Sequence, residues 1–109
     1  MKKIFVVVRT TFSAVHAWPE CPFEDVSFLR TPHRHVFYVE MKIQTTKDRE
    51  LEFILLKNEL DSYIRDNWEN KDLGKMSCEK IAENLMDNFN ANFISVFEDD
   101  ENGAEIWND

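Results

Sequence analysis

Residues 2–16, KKIFVVVRTTFSAVH, contain no glycine or proline and are rich in Val, Phe and Thr, which is the composition of a strand. Strand side chains alternate between two faces, so Ile4, Val6, Val8, Thr10, Phe12, Ala14 and His16 share one of them. Residues 33–46, HRHVFYVEMKIQTT, predict a second long strand. One of its faces carries His33, His35, Phe37, Val39, Met41 and Ile43; the other carries Arg34, Val36, Tyr38, Glu40, Lys42 and Gln44. The first is a core face that ends in two histidines. Between the strands, AWPECPFEDVSFLRTP holds the chain's three prolines, Pro19, Pro22 and Pro32, and reads as a loop. A loop this long in a compact domain usually serves a function or folds over something. The polar KDRE turn follows the second strand, and the two strands are expected to pair as a hairpin.

Beyond that turn the period changes. From Phe53 to Asn67, Leu56, Leu60, Tyr63 and Ile64 recur at the spacing of an amphipathic helix. DNWENKDLGK is a polar connection. Ser77 then predicts an N-cap, with Glu79 in the first turn and Ile81, Leu85 and Phe89 on one stripe of a second helix. ANFISVFE predicts a strand, Asn102-Gly103 a hairpin turn, and AEIW a short return strand. The order ββααββ predicts an α+β fold, with two helices on one face of a four-stranded antiparallel sheet. At 109 residues, the chain is read as one domain, 1–109.

Charge narrows the partners. A net charge of −8 without a Lys/Arg cluster disfavours a phosphate backbone, so no nucleic acid partner is expected. Cys21 and Cys78 are far apart and form no CxxC, so a disulfide framework is not expected. The apolar run IFVVV is too short for a secretory segment, and no stretch is long enough to span a bilayer. No membrane partner and a cytoplasmic location follow as expectations.

The chain has three histidines, His16, His33 and His35. His33 and His35 project to the same strand face. Two imidazoles so placed can converge on one ion at about 2.0–2.1 Å, the usual zinc–nitrogen distance. His16 ends the neighbouring strand, and it joins them if the long connection closes over that end. Three histidines with an open fourth position would make a catalytic rather than a structural zinc site. The residues alone equally fit two half-buried histidines of no special role.

FSAVH, HRHVFYVEM, LEFILLKNEL, SCEKIAENLM and VFEDDENGAEIW occur in the order and with the approximate spacing of the 6-pyruvoyltetrahydropterin synthase and 6-carboxytetrahydropterin synthase family. The chain resembles this tunnelling-fold family over most of its length. Arg34 stands where the family's HGH motif has glycine, and Glu52-Phe53 stands where it has Asp-Phe. The resemblance implies that His16, His33 and His35 bind zinc and that Glu98 anchors a pterin ring. Glu79 matches a glutamate that opens the second helix. A carboxylate that accepts two parallel N–H bonds suits a pterin- or purine-like edge. The implied activity is that of a zinc-dependent lyase acting on 7,8-dihydroneopterin triphosphate in a deazaguanine or pterin pathway. The implied assembly is a homo-oligomer, a trimer or hexamer.

Two positions depart from the pattern. SFLRTP, just before His33, lacks the family's catalytic cysteine, which leaves Cys21 in WPECPF as the candidate base. Glu69 and Asn70 in WENKDL stand where the family has an Asp-His pair, and asparagine cannot relay a proton as histidine does. The alternative to the lyase is therefore a catalytically altered or inactive member that binds a pterin-, purine- or nucleotide-like ligand. EDDENG loosely fits a calcium loop through Glu98, Asp100, Asn102, Gly103 and Asp109, but a strand precedes it where that loop needs a helix. Cys78, beside the Ser77 cap, reads as a packed thiol, and Trp18 as a pocket wall beside His16.

Overall fold

The computed structural model describes residues 1–108. Asp109, the last position of the calcium-loop reading, lies outside the described residues. The two long alternating stretches form β1 (Ile4–His16) and β2 (His33–Thr45), paired antiparallel along their whole length from Ile4↔Thr45 to His16↔His33. The described chain continues through α1 (Phe53–Asn67), α2 (Cys78–Phe89), β3 (Phe93–Glu98) and β4 (Asn102–Trp107). The sheet order is β1-β2-β3-β4, antiparallel throughout, so the fold is α+β with one four-stranded antiparallel sheet and two helices.

The predicted faces match the burial. Val8, Phe12, Ala14, Phe37, Val39 and Met41 are buried, while Arg9, Thr11, Val36 and Tyr38 are exposed. Leu56, Leu60 and Ile64 of α1 and Ile81, Ala82 and Leu85 of α2 meet this face and complete the core with Ile94 and Val96 of β3. Both helices start on side-chain caps: Glu52 accepts from the Ile54 N–H and Ser77 from the Lys80 N–H. Helix α2 ends on Asn90 in the left-handed region, at φ 53°.

Two expectations need correction. The connection between β1 and β2 is not all loop: Glu24–Arg30 form a 3-10 segment, kinked at Val26, which adds an element to the order. It buries none of its residues, and so it left no hydrophobic period to detect. The β3–β4 turn is also not at Asn102-Gly103. Those residues pair within the ladder, opposite Glu98 and Phe97, and the chain reverses at Asp99 and Asp100, at φ 55° and 58°. The shift adds rungs to the ladder, and Asp99 is held in place by a bond from its N–H to the Val36 carbonyl, 2.7 Å. Gly103 serves close approach instead. A Cβ there would lie 2.0 Å from the Val96 carbonyl oxygen.

Residues 70–74 of the α1–α2 connection run beside the end of β1. The Asn70 N–H donates to Ser13 O, Val15 N–H to Lys71 O, Leu73 N–H to Val15 O and Ala17 N–H to Gly74 O. This strap covers the edge of β1 at its histidine end. Among the described residues, no helix is long and apolar enough to cross a membrane.

Candidate metal centre

The sheet register builds the site in rows. Directly paired residues of antiparallel strands face the same way. Phe12, Phe37 and Glu98 therefore form one row across three strands, Ala14 and His35 the next, and His16 and His33 the last. Phe12 and Phe37 stack at 5.1 Å between centroids, and Phe37 meets the His16 ring edge-on at 5.3 Å. Ala14, fully buried and small, leaves room above this floor for the imidazoles. The three rings lie 4.7–5.4 Å apart, all in edge-to-face pairs.

Each ring is held from behind through Nδ1. His16 Nδ1 lies 2.7 Å from the Met76 carbonyl, which the 70–74 strap delivers. His33 Nδ1 lies 2.8 Å from the Thr31 carbonyl, and His35 Nδ1 lies 2.7 Å from Asp99 Oδ2. Carbonyl and carboxylate oxygens only accept, so Nδ1 carries the proton in all three rings and donates it. In the neutral ring, Nε2 is then a bare lone pair. All three Nε2 atoms are buried, and none of them meets a hydrogen-bond donor. One ligand nitrogen from each histidine lies within 4.8 Å of the others.

Three buried acceptors without a donor are costly in an apolar setting. Converging neutral imidazoles, each oriented by a second partner on its other nitrogen, are what a divalent metal requires. The residues present therefore fit a metal ion, and the donor set is one that zinc takes readily.

Glu98 faces two of these nitrogens, those of His16 and His35. Its Oε2 is 3.0 Å from His16 Nε2 and its Oε1 is 3.6 Å from His35 Nε2. The adjacent His16 ring holds the Glu98 carboxyl below its usual range, against the opposing effect of burial. Reciprocally, Glu98 raises His16 above the ordinary imidazole value. Asp99 is lowered by its bonds from His35 and from the Val36 N–H.

A cavity of about 520 Å³ opens beside this centre, with His16, His33, Glu98, Trp18, Cys78 and Glu79 among its walls. The sequence-predicted residues thus divide. His16, His33, His35 and Glu98 come together, and exposed Glu79 reaches the cavity rim. Cys21 does not join them. It is 3% exposed, its Sγ faces the Phe23 carbonyl at 3.9 Å, and it does not line the cavity. Neither Glu69 nor Asn70 lines it. A depression of about 570 Å³ on the sheet, around Arg9, Tyr38 and Lys57, contains none of the three histidines.

Sequence reasoning missed Asp99 as the partner of His35, because that role depends on the β2–β3 register and on the true position of the turn. It also passed over Cys78 as a cavity residue. Burial first, and then the nearby Glu98 and Glu79 carboxylates, push its thiol up to about 12. At neutral pH it is a protonated thiol, not a thiolate.

No protein-family model and no curated protein matches this chain.

Proposed function

We propose that this chain is a zinc-binding member of the tunnelling-fold family that resembles 6-carboxytetrahydropterin synthase. It binds a pterin-, purine- or nucleotide-like small molecule in the cavity beside His16 and His33, and the family's usual acid–base chemistry is altered or absent. The observation that carries this reading is the convergence of three unpartnered Nε2 atoms beside a cavity that neither Cys21 nor Asn70 lines. When bound, the metal supplies Lewis acidity toward a ligand hydroxyl or carbonyl. The protein's own part is to fix the three imidazoles through Met76, Thr31 and Asp99 and to wall the cavity with Trp18. Glu79, Lys75 and Lys80 at the rim offer a carboxylate for ring N–H groups and two ammonium groups for phosphate.

The lyase reading retains one favourable observation, the Cys78 thiol in the cavity wall. With its pKa pushed up to about 12 it stays a protonated thiol at neutral pH, which disfavours it as the general base. Assembly into a ring of copies in the cytoplasm belongs to the same reading. Its support is the resemblance, together with the exposed apolar residues Phe5, Val7, Val36 and Tyr38 on the uncovered sheet face.

The test is to incubate zinc-loaded protein with 7,8-dihydroneopterin triphosphate, following binding by calorimetry and product by mass spectrometry. Metal-dependent binding with the compound recovered unchanged is the expected result. Turnover that disappears in Cys78→Ala would establish the lyase instead. Absence of binding by this compound, by pterin and by guanosine nucleotides would contradict the proposed ligand class.

A further inference from the structure

The family resemblance gives Glu98 the task of holding a ring, but its carboxylate is turned toward the histidines. We propose that Glu98 is the fourth protein ligand of the metal, so that the resting centre is His16, His33, His35 and Glu98. This rests on the metal-binding reading above and changes the role of one residue in it.

Three observations carry the inference. The first is spacing. In a tetrahedral site with bonds of about 2.0–2.2 Å, neighbouring donor atoms lie roughly 3.3–3.6 Å apart. Glu98 Oε2 to His16 Nε2 is 3.0 Å, and Oε1 to His35 Nε2 is 3.6 Å, which brackets that separation.

The second is the direction of the lone pairs. The Nδ1 protons of all three rings are committed to Met76 O, Thr31 O and Asp99 Oδ2. Neutral rings therefore present bare Nε2 lone pairs, and the group that faces those of His16 and His35 is an anion. Lone pairs opposed to a carboxylate repel unless a cation lies between them. One proton on His16 answers for one nitrogen and leaves those of His33 and His35 unpartnered. A divalent ion answers for all three and for the carboxylate.

The third is charge. A divalent ion with three neutral imidazoles and Glu98 leaves one positive charge, and Asp99 behind His35 offsets it. Such a centre is neutral overall, which suits its partly buried position.

Glu98 has the freedom to act as the exchangeable ligand. It is the last residue of β3, next to the Asp99-Asp100 turn, and its side chain is 28% exposed, against 10% for that of His16. A small molecule that reaches the metal from the cavity must displace this carboxylate or add beside it. Access is then set by Glu98 and not by an open position.

Cobalt(II) reports the coordination through its visible spectrum. Wild-type protein, Glu98→Gln, Glu98→Ala and His33→Ala should be titrated with cobalt, after circular dichroism of the metal-free forms has checked that each is folded. Wild type should give the intense bands of a four-coordinate site and should not change when azide is added. The Glu98 variants should bind cobalt more weakly by a factor of at least about 100, exceeding the ~10–100-fold cost of losing an outer-shell partner, and should acquire an azide response. Wild-type affinity and spectrum in both Glu98 variants, with binding lost in His33→Ala, would overturn the four-ligand centre and leave the three-histidine site standing. An azide-sensitive spectrum in wild type would do the same without any variant. No cobalt binding by wild type would overturn both.

Discussion

The core face of the β1–β2 pair finishes in Thr45 at one end and in His16, His33 and His35 at the other. Both ends bury polar side chains, but they differ in how the polar atoms are satisfied. The Thr45 hydroxyl, on a residue 7% exposed, donates to Glu50 Oε1 at 2.5 Å. Glu50 also accepts from the Thr46 N–H at 2.7 Å. That end closes on itself within six residues of chain (Thr45 to Glu50) and needs nothing else. At the histidine end every Nδ1 has its acceptor, whereas no Nε2 meets a donor. Folding alone explains the first end. At the second, three imidazoles oriented from behind converge where they could hold a metal ion, which is how a candidate site differs from a structural polar cluster.

The difference can be broken from the histidine side first. Gly103→Ala should have the largest effect, because a Cβ there meets the Val96 backbone 2.0 Å away and no rotamer change relieves it. Overpacking typically costs about 1–3 kcal/mol, and a clash with fixed backbone belongs at the upper end of that range. Chemical denaturation should show that loss, together with weakened metal binding, since the β3–β4 hairpin carries Glu98 and Asp99. Asp99→Ala should leave the fold intact but weaken zinc binding by about 10–100-fold through loss of the His35 orienter. A competitive chelator titration measures it, and unchanged affinity would remove Asp99 from the centre.

Thr45→Val tests the opposite end. It should cost about 1 kcal/mol in denaturant unfolding, the usual net value of one hydrogen bond, and leave metal affinity untouched. A change in metal affinity would mean that the two ends are coupled.

The smallest effect is in the pH dependence of the metal-free protein. Glu98 is lowered, so its contribution is present above the ordinary glutamate value of 4.5 and is lost as pH falls through the lowered one. His16 is raised, so its contribution is complete below the ordinary value of 6.5 and is lost as pH rises through the raised one. The pair therefore stabilises the metal-free chain most between those two values, with a decline on either side. Glu50, lowered by Thr45 and Thr46, adds only an acid-side decline. Melting temperature against pH should show the alkaline decline in wild type and not in Glu98→Gln. Metal must replace the proton on His16, so the rise in melting temperature on adding zinc should grow with pH across the same range.

Much of this was legible in the sequence, for identifiable reasons. Period-two alternation set the faces of β1 and β2, and with them the common side of His16, His33 and His35. The Leu56, Leu60, Ile64 stripe and the Ser77 cap located the helices. What was not legible depends on register and on backbone carbonyls. Asn102-Gly103 carries a strong turn signal, yet the bonds of Asp99 to Val36 and His35 move the reversal upstream. The Met76 and Thr31 carbonyls have no side-chain identity to read. Cys21 reads as the candidate base and Cys78 as a packed thiol, yet packing turns Cys21 toward the Phe23 carbonyl and sets Cys78 in the cavity wall.

The central claim is that the histidine end is completed by a metal. Elemental analysis after metal-replete purification and desalting tests it most directly, with His33→Ala alongside. The account predicts about one zinc per chain in wild type and less than about a tenth of an equivalent in the variant; less than about a tenth in wild type would contradict it.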